Sequence, residues 1–485
     1  MRSAILPPRS GRARVPVGPL LLSALLAAPP VASGQLETYH ETVERLVRRA
    51  LSEGRAYTRL AELVDVAPHR LSGSPGAAAA VEWARQTMER EGLQNVRLEP
   101  VTVPHWVRGE VAELRVSGPP ALAGAPLSIV ALGGSVGTPP SGVTGRVLEV
   151  TSFNEVARLG ERARGAILFY NRPMDASLLD PFDAYRGAVS QRTRGAIEAA
   201  RVGAAAVIVR SMTTRRDDVP HTGGMRYEDG VPRIPAAAVS TLGADWLSAR
   251  LAAGHEVELT LRLDCETLTD EPSFNVVGEL VGSERPDEIV VVGGHLDAWD
   301  VGQGAHDDGA GCCQSIEAVR LIRELGLRPR RTIRVVLFMN EENGLRGGRA
   351  YRADHADELD RHVLALESDS GGFVPRGFTT NANPEAFAIL ESIVGLLEPA
   401  GAGTLWPGGG GADISPMAPH GVVLVGLKPD PQRYFDLHHS HSDVLSAVSD
   451  RELNLGAGVM AALLYVVADL PEPLPRNPVP DDASR

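Results

Sequence analysis

From residue 272 onward the chain keeps repeating one pattern: a short, almost continuous apolar run, then a loop bearing acids or histidines, then a helix-like stretch. The runs are EIVVVGG, TIRVVLFM, HVLALES and GVVLVGL. Between or after them come CCQSIEAVRLIRELG, LRGGRAYRADHADEL, PEAFAILESIVGLLEP and ELNLGAGVMAALLYVVADL. Runs of Val, Ile and Leu without polar alternation suit strands covered on both faces. The pattern therefore predicts an α/β fold: a mostly parallel central sheet with helices on both faces.

The rest of the chain is read around that frame. Residues 35–115 open with the helix-like ETVERLVRRALSEG and AYTRLAELVDV, then the turn HRLSGSPG and the helix AAAAVEWARQTMEREGL, closed by Gly92. Residues 116–264 are rich in Gly, Pro and short β-like runs with one helix-like piece, AIEAARVGA, which reads as an inserted β-rich domain. The tail 472–485, PEPLPRNPVPDDASR from Pro471 on, is Pro-rich and charged and is expected to be disordered. At the other end, Arg2, Arg9, Arg12 and Arg14 precede PLLLSALLAAPPVA and the small residues of ASG. Residues 1–34 read as a signal peptide, so the protein is expected to be exported, with no membrane span after its removal. The net charge of −13 argues against nucleic acid as a partner. Three cysteines, Cys265, Cys312 and Cys313, make no disulfide framework and read as buried packing residues.

In an open α/β sheet, functional residues gather beyond the carboxyl ends of the strands. Here the four runs lead into HLDAWDVGQGAHDDGAG, NEENGLRGG, SDSGG and, after a short loop, LHHSHSD. Imidazole and carboxylate together suit zinc, with manganese or cobalt as further options. Two such ions about 3.5–4 Å apart activate a water and polarise a carbonyl. They need a bridging carboxylate, and a further free carboxylate must move the water's proton. The adjacent Glu341 and Glu342 can divide the tasks of ligand and base. GGSVG, residues 133–137, matches the nucleophile elbow of serine hydrolases, but TPPSG follows it where a helix would have to start, so Ser135 reads as a turn residue.

The motifs GGHLDAWDVGQGAHDDGAG, NEENGLRGG, ESDSGG, GGGGADI and HHSHSD resemble those of the dizinc exopeptidases that include bacterial leucyl aminopeptidases and glutamate carboxypeptidase. The likeness runs from about RLSGSPG to about Leu470. It implies a zinc-exopeptidase sheet domain over residues 265–471 and a protease-associated-like insert. It also implies a role for each motif position. His295 and Asp369 bind one zinc, Glu342 and His439 bind the second, and Asp307 bridges the two. Asp297 orients His295, and Glu341 is the general base. His439 is singled out from its neighbours because the family's last histidine stands four residues before an acid, here Asp443. Asp413 and His441 are candidates for substrate contact. The implied activity is hydrolysis of short peptides, dipeptides with free termini, by metal-bound hydroxide in a homodimer. The rival readings are a single-zinc glutaminyl cyclase-like aminoacyl transferase and a non-catalytic receptor module of the same fold.

Overall fold

The four apolar runs become adjacent parallel strands at the centre of an eight-stranded sheet. In spatial order the strands are Gln94–Val103, Glu271–Leu280, Arg331–Phe338, Arg285–His295, His362–Glu367, Val423–Pro429, Pro375–Thr380 and Thr404–Pro407. The strands from Arg331–Phe338 to Val423–Pro429 pair in parallel, while Glu271–Leu280 and Pro375–Thr380 join them antiparallel. The sheet is therefore mixed, with a parallel centre. The computed structural model describes residues 36–479 apart from 123 and 125, so the signal peptide expected at 1–34 lies outside the described residues.

Successive side chains of a strand point to opposite faces, and both faces here are apolar. Val290, Val292, Ile333, Val335, Leu337 and Leu364 enter a large core. Helices His40–Glu53, Ala56–Val66, Pro75–Arg90, Ala310–Glu324 and Asp450–Asp469 contribute to that core. Their neighbours Val291, Val336, Phe338 and Ala365 enter a smaller core with Tyr351, Leu359 and Met417. Burying each large aliphatic side chain contributes about 1.5–3 kcal/mol, which is why these strands carry no alternation. Asp450–Asp469 is long and apolar enough to cross a membrane, but 78% of it is buried inside the protein, as befits a core helix. Pro75–Arg90 starts two residues earlier than expected, within HRLSGSPG: Ser74 Oγ accepts the Ala77 N–H at 3.1 Å, and Pro75 occupies the first turn. All three cysteines are buried and free.

Residues 112–263 supply a second eight-stranded sheet with its own core. It contains more helix than its short β-like runs suggest: Phe153–Leu159, Pro181–Ala188, Ser190–Arg201 and Thr241–Ala252. Three of these are short or weakly periodic but well capped. Ser152, Asp180 and Ser240 each accept a backbone N–H of the first turn, and Glu155 reaches back to the Thr151 N–H at 2.6 Å. Ser135 is fully buried in a turn; its Oγ donates to Val136 O and accepts the Ala236 N–H, each at 2.9 Å. The expectation of disorder from residue 472 is corrected as far as Asn477. Leu474 is buried, the Asn383 side chain donates to the carbonyls of Pro475 and Arg476, and Arg476 donates to His362 O.

At the antiparallel edge, His355 ties the sheet to the turns beside it. Its Nδ1 lies 2.6 Å from Glu358 and its Nε2 3.1 Å from Glu99. Arg334 joins the same group through Glu358 at 2.6 Å and Glu279 at 2.7 Å. Burial pulls the imidazole down, but Glu358 and Glu99 outweigh it and hold His355 up at about 8. A histidine raised in this way contributes stability in full below its ordinary value of about 6.5, and that contribution is lost as pH rises through about 8. Urea midpoints measured at about pH 6 and pH 9 should therefore fall more for the wild type than for His355→Gln. Equal changes in the two proteins would contradict this account.

Candidate active site

The parallel register brings the ends of four strands to one edge. His295 ends its strand; Glu341 and Glu342 follow Phe338 by three and four positions; Asp369 follows Glu367 by two; and His438 and His439 follow the short helix Tyr434–Leu437. Asp307 enters from the loop that precedes helix Ala310–Glu324.

Asp307 stands at the centre. Its Oδ1 lies 3.2 Å from His295 Nε2, and its Oδ2 lies 3.3 Å from His439 Nε2. His295 Nε2 also meets Asp369 Oδ1 at 3.4 Å, and His439 Nε2 meets Glu342 Oε2 at 3.1 Å. Two three-residue groups thus share one carboxylate: His295, Asp369 and Asp307 on one side, His439, Glu342 and Asp307 on the other. Asp308 lies near enough to His295 and Asp369 to be taken for a ligand. Its two oxygens are instead used on the N–H groups of His295 and Gly311, each at 3.0 Å. His438 stacks on His439 with ring centroids 3.5 Å apart, but its Nε2 is 3.8 Å from Asp307, farther than that of His439.

The supporting contacts explain how these positions are held. His295 Nδ1 donates to the backbone carbonyl of Asp297 at 2.9 Å, which leaves Nε2 as the free ligand atom. The Asp297 carboxylate is 3.9 Å from that ring. It accepts the N–H groups of Asn340 at 2.7 Å and Glu341 at 3.0 Å. The orienting role expected of the Asp297 side chain thus passes to its carbonyl, while the carboxylate fixes the turn that carries both glutamates. Asp443 accepts the N–H groups of His306 and Asp307, so the acid four residues after His439 holds the bridging residue and not the histidine. Glu342 Oε1 accepts the Trp299 N–H at 3.2 Å, leaving Oε2 toward His439. Arg70, fully buried, donates to the carbonyls of Leu296, Gln303 and Gly304 and clamps the loop between His295 and Asp307. Only its place in the motif HRLSGSPG hinted at such a role.

So many buried acids repel one another. Burial and Asp307 push Glu342 up to about 7 against the pull of His439. Burial, then Asp369, Glu342 and Asp307, outweigh His295 and hold Glu341 well above the usual carboxylate range. Burial alone would lower His439, but Glu342 and Asp307 raise it to about 10. Protons on the imidazoles are doing what cations would do better. Asp307 Oδ2, buried, accepts no well-formed hydrogen bond. The donor set therefore fits divalent metal of the zinc type.

A cavity of about 730 Å³ opens onto this group, and Glu341, Asp369, His438 and His439 are in its wall. Asp413 and His441, the candidates for substrate contact, do not line it. Asp413 is fully buried, near Glu367 and Glu341, and its carboxylate has no hydrogen-bond partner. His441 is exposed, on the side of Arg108, Asp300 and His69.

The model of peptidase family M28 matches residues 275–464, a span that holds every one of the proposed metal ligands. Human carboxypeptidase Q is 42% identical over 426 residues, covering 88% of this chain and 88% of that protein. The chain belongs to peptidase family M28. The crystal structure of a peptidase M28 precursor from Shewanella amazonensis superposes with a TM-score of 0.87 at 35% identity, covering 91% of this chain and 99% of that one. A zinc aminopeptidase from Bacillus subtilis shares the fold at TM-score 0.62 and 20% identity, covering 87% of this chain and 98% of that one. The chain is thus a peptidase, as the resemblance read from its motifs implied.

The second sheet also reaches the site. His221 Nδ1 donates to His438 O at 2.7 Å, and the Thr222 N–H donates to His439 O at 2.9 Å. These bonds hold His439 at φ 60°, in the left-handed region that non-glycine residues rarely adopt. Gly223 must stay bare: a Cβ there would lie 2.7 Å from His439 Nδ1. His439→Ala should lower bound zinc, measured by mass spectrometry of the purified protein, whereas His441→Ala should not. Gly223→Ala should weaken zinc retention against a chelator. Unchanged zinc in His439→Ala would remove that residue from the ligand set.

Proposed function

We propose that this M28 peptidase is an exported exopeptidase that holds two zinc ions and hydrolyses short peptides, dipeptides with free termini above all. The observation that carries the two-metal reading is the sharing of Asp307 between two ligand groups. Bound there, a pair of zinc ions would polarise the scissile carbonyl and acidify a water. The histidines supply neutral Nε2 donors, with His295 fixed by the carbonyl of Asp297. Glu341 carries no metal-ligand duty in this reading. It lines the cavity beside the ligands, and its raised proton affinity suits a base that takes a proton from water and returns it to the leaving amine. Asp297, through the N–H groups of Asn340 and Glu341, keeps that carboxylate in place relative to Glu342.

The basic, apolar segment before residue 35 supports export. The similarity to carboxypeptidase Q supports the exopeptidase part of the reading. The homodimer belongs to the same proposal, and sedimentation of the purified chain tests it. The full set of paired ligands favours hydrolysis over a single-zinc transferase or a metal-free receptor.

Glu341→Gln should lower kcat on a dipeptide by about 100-fold or more, as loss of a general base does, while both zinc ions stay bound. Loss of zinc with the activity would show that Glu341 and Glu342 have exchanged roles. A protein that binds one zinc and cyclises N-terminal glutamine would replace this reading altogether.

A further inference from the structure

The two halves of the metal group are not held in the same way. The supports of His295 and Asp369 come from the first sheet and its helices. His295 donates through Nδ1 to Asp297 O and through its backbone N–H to Asp308; Cys312 Sγ donates to His295 O at 3.0 Å; and Ser368, next to Asp369, donates to Gln314 Oε1 at 2.8 Å. The half made by His439 and Glu342 leans on the joint between the two sheets. The Thr222 N–H donates to His439 O at 2.9 Å, and Glu342 Oε1 accepts the N–H of Trp299, whose ring centre lies 5.7 Å from that of His439. The far edge of that indole lies on bare backbone beside strand Ile129–Ala131 of the second sheet: a Cβ on Gly133 would stand 1.8 Å from Trp299 Cη2.

One side chain gathers these pieces. Arg108 lies on the segment that leads from the first sheet to the second, between strands Gln94–Val103 and Ala112–Gly118, and its side chain is 12% exposed. Its guanidinium holds Asp300 with a fork, Nε to Oδ2 at 2.9 Å and Nη2 to Oδ1 at 2.5 Å. Nη1 donates to Ala131 O and reaches Thr222 Oγ1 at 3.4 Å, and Thr222 Oγ1 donates to the same carbonyl at 2.7 Å. Cζ lies 4.9 Å from the centre of the Trp106 ring and 6.0 Å from that of Trp299. A guanidinium bound by a carboxylate fork on one side and a fixed carbonyl on the other has little freedom left. Arg108 thus touches Thr222, Trp299 and Asp300, the residue after Trp299. Among the described residues it makes no hydrogen bond or ion pair to Asp297, Asp308, Cys312 or Ser368, which serve the other half.

We propose that Arg108 is a positioning residue for one half of the metal group. Through Trp299 and Thr222 it keeps Glu342 and His439 in place, so the ion they hold depends on the joint between the two sheets and the ion of His295 and Asp369 does not. The proposal rests on the two-zinc reading given above and deepens it.

Zinc release from the loaded full-length protein to a chromogenic chelator separates the two ions without any need for turnover. The wild type should count two. Arg108→Met should give up one of them about 10–100-fold more readily, the range in which partners behind metal ligands act on affinity, and keep the other as the wild type does. Arg108→Lys, which retains the charge but not the fork, should recover part of the loss. Asp300→Asn, which removes the ion pair and keeps the side-chain volume, should show the same split, and it decides the matter if Arg108→Met does not fold. In His439→Ala, which already lacks the affected ion, adding Arg108→Met should leave the remaining zinc as tightly held as before. Two ions released faster by the same factor, as general loosening of the protein would cause, would overturn the assignment. So would unchanged release in both Arg108→Met and Asp300→Asn, or a weakened remaining ion in the His439→Ala background. A wild type that binds a single zinc would sink the two-metal reading, and this proposal with it.

Discussion

Mutual repulsion among buried carboxylates is the constraint around which this protein is organised. Asp307, Glu341, Glu342 and Asp369 crowd the carboxyl edge of the sheet, Asp307 and Glu342 buried and Glu341 and Asp369 half-buried in the cavity wall. Such a group is unfavourable unless positive charge is placed among the oxygens. Without metal, His295 and His439 supply it by holding protons well above their ordinary range. Metal ions answer the same need with more charge at the same place, and the proton exchange that follows couples metal binding to the stability of the whole edge. The fold has to hold these acids together against their own field.

It does so with a second set of aspartates that are not ligands. Asp297 holds the turn of Asn340 and Glu341, Asp308 holds His295 to the start of helix Ala310–Glu324, and Asp443 holds the N–H groups of His306 and Asp307. Each spends its charge on backbone N–H groups, which cost no side-chain entropy and cannot swing away. The price in backbone strain is visible nearby: Asn340, Leu345 and His439 all have positive φ. Arg70 adds the opposite device, a guanidinium that gathers three carbonyls of the loop leading to Asp307.

How much of this the sequence discloses follows from the kind of interaction involved. The strands and the gathering of acids and histidines at their ends were legible, because apolar periodicity and acids at strand ends are patterns of side-chain type, whereas the roles of His295, Asp307, Glu342, Asp369 and His439 came from the resemblance of the motifs to a known family. The supporting contacts were not, because they join side chains to distant backbone groups. Asp297 could be placed beside His295 by spacing, yet which of its oxygens faces the ring depends on the turn of Asn340, forty-three positions away. Asp413 suggested substrate contact by its glycine run and proved to be sealed under the strand that carries Glu367. Three of the four helices of the second sheet's domain escaped notice because caps at Ser152, Asp180 and Ser240, not long amphipathic stretches, define them.

The second sheet changes what kind of peptidase such an edge can be. Metal ligands on one sheet would suffice to polarise a carbonyl, but an open edge gives no measure of how much peptide lies beyond it. Here residues 221–224 close against the loop of His438 and His439, and helices Pro181–Ala188 and Ser190–Arg201 bring Phe182, Tyr185 and Arg192 to the cavity wall. The rings of Phe182 and Tyr185 pack on Tyr434 and Phe435, which directly precede the metal-binding loop. The cavity wall and the loop of His438 and His439 are thereby held by the same contact. A change that moves the second sheet away from the first would loosen the loop of His439 and reshape the cavity wall together.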